Sequence, residues 1–185
     1  AIVGLTGEEH APAHALDLMG AAAIDTGRLD DAIRVLRIAQ APAAGDETAQ
    51  SVLVHLATAL ALAGHSGDAV DALAGAAPAR DFGQLALVGL ALVVQYDRGE
   101  QRSAASEVIY RMKSELGDQL APTLDAALDR MRFAPAEDER YYRALVDEID
   151  GDTAEARTEW LLYAADPAAP YRGRALDHVH ALQRV

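Results

Sequence analysis

At 185 residues with a formal net charge of −13, the chain is long enough to bury one core or one short repeat array. It is too acidic to favour nucleic acid, which needs a concentrated basic face. Half of it is apolar (51%) while aromatics are only 5% and alanine dominates, so closely packed helices are favoured over sheets. The lack of cysteine excludes disulfides and thiolate metal sites and leaves the cellular compartment open.

The chain begins at Ala1 and not at Met, which predicts a processed or trimmed piece of a longer protein. Apolar residues then recur at three- and four-residue steps over 10–26, 29–40, 47–63, 67–76, 84–97, 101–116, 119–133, 137–149, 153–165 and 171–183. That spacing predicts helices throughout and no strands. The longest apolar run, LALVGLALVV at 85–94, is too short to cross a bilayer and reads as a buried helix, so no membrane insertion is expected. Gly27, Gly64, Gly99, Gly117 and Gly151 fit helix C-terminal positions that need a left-handed backbone. Pro42, Pro78, Pro122, Pro135, Pro167 and Pro170 mark other breaks or first turns. Asp30, Asp31, Asp68 and Glu155 sit in first turns, where the helix dipole favours negative charge.

Candidate chemistry is sparse. His10 and His14 in HAPAH have a metal-like spacing, but Pro12 between them suggests a helix start. His178 and His180 in DHVH point to different helix faces, so both histidine groups read as surface features. The stretch AEDERYYRALVDEIDGD sets Glu137, Asp138, Glu139, Asp147, Glu148 and Asp150 around Arg140 and Arg143, giving helix-surface pairs and a negative rim suited to a basic partner. DEIDGDTAEA is too short for a calcium loop, and GHSG has neither the strand before it nor the lysine after it that a phosphate loop needs. No nucleophile elbow occurs. The expectation is a protein that is not an enzyme and carries no cofactor or metal. Trp160 and Tyr163 with Tyr142 are expected to close the last helices into a core, with Tyr141 and Tyr171 as candidate exposed anchors. Arg157, Arg172, Arg174 and Arg184 make the C-terminus basic, able to meet an acidic neighbour such as another copy's rim.

Gly27, Gly64 and Gly99 lie 35 to 37 residues apart, and each is followed five residues later by alanine: Ala32, Ala69 and Ala104. Met19, Gly20 and Ala23 precede the first turn, Leu56 and Ala57 the second; Leu36 with Ala39 and Leu73 with Ala76 follow them. This pattern resembles the tetratricopeptide repeat, a helix, a tight turn at glycine, and a second helix starting near a characteristic alanine. The resemblance covers 13–44, 50–78, 85–116, where Gln95 and Arg111 replace expected core residues, and 137–167, where Ala144, Gly151, Ala156, Trp160 and Pro167 take suitable places. Residues 119–133 fall outside the register as an extra helix, 171–183 form a C-terminal helix, and the usual repeat aromatics are mostly missing.

The resemblance implies an all-α, right-handed solenoid of about five antiparallel helix pairs forming a single domain over 1–185, with another α-helical bundle as the alternative. It also implies a concave groove lined by the first helices of successive units. Its walls would be His14, Asp17, Leu18, Ala21 and Ile24 from the first unit, and Ser51, Val54, His55, Thr58 and Ala61 from the second. Ala86, Gly89, Leu90, Val93 and Tyr96 would come from the third. Small side chains and apolar walls suit a partner's helix or peptide. The competing expectation is that later helices, 119–133 above all, fold back and fill the trough, leaving a structural or dimerising domain. A clamp for an acidic C-terminus is not expected, because these places lack the lysines, arginines and asparagines that would pair with carboxylates.

Overall fold

The computed structural model describes residues 11–43, 48–75 and 82–184. Among them the regular structure is helical: α1 (Ala13–Asp25), α2 (Leu29–Ala43), α3 (Ala49–Leu62), α4 (Ser66–Ala74), α5 (Phe82–Arg98), α6 (Arg102–Leu116), α7 (Leu120–Leu128), α8 (Asp138–Asp150), α9 (Thr153–Ala164) and α10 (Arg172–Leu182). One 3-10 turn, Gly117–Gln119, joins α6 to α7. His10, Ala76 and Pro78 lie outside the described residues.

Adjacent helices pack in pairs, α1 with α2, α3 with α4, α5 with α6, and α8 with α9. The chain divides into two compact units. The first is Ala1–Ala77 with Arg132–Pro135, the second Pro78–Met131 with Ala136–Val185. In the first unit, α3 also packs on α1 and α2, over a core that includes Leu16, Leu36, Val52, Leu56 and Leu73. Gly20 explains how closely α1 and α2 approach: a Cβ there would stand 2.5 Å from Leu36 Cγ. In the second unit, α5 is covered by α6, α7 and α8, and α9 lies between α8 and α10. Leu90, Val94, Met112, Leu124, Leu128, Tyr142 and Trp160 are among its buried side chains.

One turn recurs four times. After α1, α3 and α8 the chain passes through a left-handed residue, Gly27 (φ +70°), Gly64 (+86°) and Gly151 (+93°), where a side chain would be strained. The next N–H donates back to a carbonyl five residues earlier, Arg28 to Ala23, His65 to Leu60 and Asp152 to Asp147, each at 2.8 Å. After α5 the same bond runs from Gln101 to Tyr96 at 2.8 Å, but the left-handed residue is Glu100 (φ +57°). The expected third glycine, Gly99, is therefore one residue off. The alanine shifts with it: Ala105 is buried in the position of Ala32, Ala69 and Ala156, whereas Ala104 is only half-buried. Each buried alanine N–H donates to the residue after its left-handed turn, at 3.0 to 3.1 Å.

The helix expected over 119–133 is shorter. It ends at Leu128, and residues 132–135 leave it to join the first unit, where Phe133 and Ala134 are buried. Burial of those two side chains outweighs continuation of the helical pattern.

Candidate functional site

The residues expected to wall an open groove are mostly interior. Asp17, Ala21, Ile24, Val54, His55, Thr58, Leu90 and Val93 are buried, Ser51 and Tyr96 are half-buried, and Leu18 is exposed at 36%. In the second unit the reason is direct: α7 and α8 pack on α5, the helix that carries Leu90, Val93 and Tyr96. In the first unit the polar points are consumed by one another. His55 Nδ1 lies 2.7 Å from Asp17 Oδ1, and Ser51 Oγ donates to Asp17 Oδ2 at 2.6 Å. His55 Nε2 lies 2.7 Å from the Arg132 carbonyl, so both ring nitrogens face acceptors.

The densest convergence of ionisable groups lies in the second unit, where the sequence placed only surface histidines and an acidic rim. Asp97, in the last turn of α5, accepts from Tyr141 Oη at 2.7 Å, from Arg174 and from His178 Nε2 at 3.0 Å. His178 reaches Glu148 Oε1 through Nδ1 at 2.7 Å, and the same oxygen accepts from Trp160 Nε1 at 2.5 Å. The imidazole stacks on the Trp160 ring with centroids 4.4 Å apart and planes 18° off parallel. Burial opposes charge on both partners, yet the hydrogen bonds to Asp97 and Glu148 raise His178 to about 9. The bonds from His178, Arg174 and Tyr141 likewise overcome burial and hold Asp97 well below the ordinary carboxylate range. Burial beside Asp97 pushes the Tyr141 phenol far up.

Beside this network Arg98 is clamped. Its NH2 donates to Asp138 Oδ1 at 2.8 Å, and its guanidinium lies over the rings of Tyr141 (4.6 Å) and Tyr171 (4.2 Å). Burial pushes the Asp138 carboxyl upward against the pull of Arg98. Tyr141 is the hub of the aromatic group, edge-on to Trp160 at 4.7 Å, Tyr163 at 5.2 Å and Tyr171 at 6.0 Å. Tyr141 is thus fully buried and is not an exposed anchor; Trp160, Tyr163 and Tyr142 close the core as expected. Arg174 is likewise drawn inward by Asp97. Of the expected surface pairs around Arg140 and Arg143, Arg143 Nε donates to Glu139 at 2.9 Å, while Arg140 reaches Glu159 at 3.2 Å, outside the expected set. Asp138 and Glu148 leave the expected rim, Asp138 buried against Arg98 and Glu148 bonded to His178 and Trp160.

Chemically this arrangement is a latch. Both His178 nitrogens donate to carboxylates, leaving no lone pair to take a substrate proton, and Asp97 spends its oxygens on three donors. Among the described residues, no group of three or more His, Asp or Glu is placed to hold a metal ion. No described helix is long and apolar enough to cross a membrane. The signal that could have revealed the latch is Asp97–Arg98 itself, two charges closing the apolar run that precedes them.

A separate surface feature lies in the same unit: a cleft of about 300 Å³ between the end of α6, the start of α7 and the end of α8. Leu120, Leu124, Val146 and Ile149 form an apolar floor, with Lys113, Asp118 and Asp150 at the rim. Comparison with protein-family models, with curated proteins and with solved structures returns no match.

Proposed function

We propose that this chain is a non-catalytic helical scaffold of tetratricopeptide-like pairs that binds a protein partner through its outer surfaces. The observation that carries this reading is the fourfold turn, ending at buried Ala32, Ala69, Ala105 and Ala156, which recurs as a stacked array of helix pairs would require. The convergent ionisable groups of the second unit bond to one another, which supports a framework and not a reaction centre. A partner with a basic face suits the net charge of −13.

The second reading is a self-capped structural or dimerising domain, favoured by the burial of Leu90 and Val93 beneath helices of their own unit. An inner-face substitution such as Thr58→Arg would put a charge into the interior and would report on folding instead of binding. Affinity capture with chemical cross-linking from source-cell lysate, beside light scattering of the purified chain, separates the two. A stoichiometric heterologous partner on a monomeric chain supports the scaffold; self-cross-links and a doubled mass support the dimerising domain.

A further inference from the structure

We infer that the cleft between α6, α7 and α8 is the docking site for a basic amphipathic segment of a partner protein. One apolar side chain would enter the cleft while flanking arginines or lysines pair with Asp118 and Asp150. This deepens the scaffold reading and rests on it.

The size of the cleft speaks first. At about 300 Å³ it stands at the lower end of ligand sites, which run from about 300 to 1,000 Å³. It holds a large side chain more readily than a cofactor. Its floor rewards an apolar group: Leu120, Ala121 and Leu124 present one face of α7, and Val146 with Ile149 one face of α8. All but Ala121 are otherwise buried, so the cleft is a dent reaching into the core and not a patch of loose surface.

Charge decides the partner's chemistry. Asp118 and Asp150 stand on the rim, and α6 and α8 both end there, at Leu116 and Asp150. The partial negative charge of these two helix C-termini adds to theirs and exceeds the opposing partial positive charge where α7 starts at Leu120. Lys113 is the cation on the rim. Beyond the rim, Asp125 follows Leu124 on α7 and Asp147 follows Val146 on α8. The Asp118 and Asp150 carboxylates beside an apolar floor, on a chain of net charge −13, are complementary to a segment that alternates apolar anchors with arginine or lysine.

The test is selection of a displayed library of short random peptides on the full chain, followed by titration of labelled clones against variants. The expected result is enrichment of sequences with an apolar residue flanked by arginine or lysine. Their affinity should fall at least about tenfold with Ala121→Trp, which fills the cleft, and severalfold with Asp150→Lys. It should also weaken as salt rises from about 50 to about 500 mM. Circular dichroism and melting identify folded variants; if Ala121→Trp does not fold, the exposed Asp150→Lys carries the test. Enrichment without basic residues, or binding indifferent to both substitutions, overturns the site. A change of mass with Asp150→Lys in light scattering overturns it in favour of a second copy as occupant. A native partner captured equally by wild-type and cleft-filled chains rejects the cleft while the scaffold reading stands; capture of none by the wild-type chain rejects the scaffold itself.

Discussion

Each unit holds a histidine between acceptors, His55 buried and His178 half-buried, but the two surroundings differ. In the first, His55 meets one carboxylate and one backbone carbonyl, and α1 and α2 pack closely, the Leu36 side chain seated against the bare Cα of Gly20. In the second, His178 joins two carboxylates, stacks on Trp160 and shares Asp97 with Arg174 and Tyr141, while Arg98 lies among tyrosines. Small side chains let helices approach closely and leave little to hydrogen-bond. Large polar aromatics bring donors that must be satisfied. The C-terminal helices of the second unit are therefore tied by charge as well as by packing.

The largest effect should come from removing the shared acceptor. Asp97→Ala leaves the Arg174 and His178 charges and the Tyr141 hydroxyl without it, and urea unfolding should show a loss of about 3–5 kcal/mol. His55→Ala in the first unit should cost about 1–3 kcal/mol, because Asp17 keeps its bond from Ser51. A greater loss at His55 would invert the ranking of the two networks.

Next in size is a dependence on pH. His178 has a folded value near 9 against an ordinary 6.5, so its contribution is fully present below pH 6.5 and is lost as pH rises through 9. It amounts to at most about 3 kcal/mol. Thermal melting between pH 6 and 10 should fall for the native chain and stay flatter for His178→Gln; parallel curves would remove the ionic role of the latch.

Packing gives a smaller contrast. Gly20→Ala forces a Cβ into Leu36, a fully buried branched side chain, and should cost about 1–3 kcal/mol by urea unfolding. Gly89→Ala meets the Met112 Sδ at the same 2.5 Å, but a thioether can turn aside, so the loss should be smaller. Equal losses would mean that the second unit is as tightly set as the first.

The turns give the smallest effect and the clearest change of sign. Gly64→Val should lower stability by about 1 kcal/mol or more, since a branched residue resists the left-handed backbone. Glu100→Gly should raise it by about 0.5–1 kcal/mol by relieving the one non-glycine member of the set among the described residues. A neutral result for both in calorimetry would mean that these turns are held by the helices around them.

Local chemistry was legible in the sequence: 3.6-residue periodicity located the helices, and glycine before a five-residue step to alanine located three of the four turns and the seat of the next helix. These features depend on neighbours a few residues away, and side-chain sterics decide them. Where Glu100 replaced glycine the same rule pointed one residue early, because composition marks a left-handed position only when the permissive residue occupies it. What covers each helix was decided by tertiary structure alone. Leu90 and Val93 look the same on an open wall as beneath α7 and α8, and Asp97 finds its histidine 81 residues away. Helix periodicity records that a face is apolar or charged; which partner neutralises it is settled only when distant segments compete to exclude water from the same space.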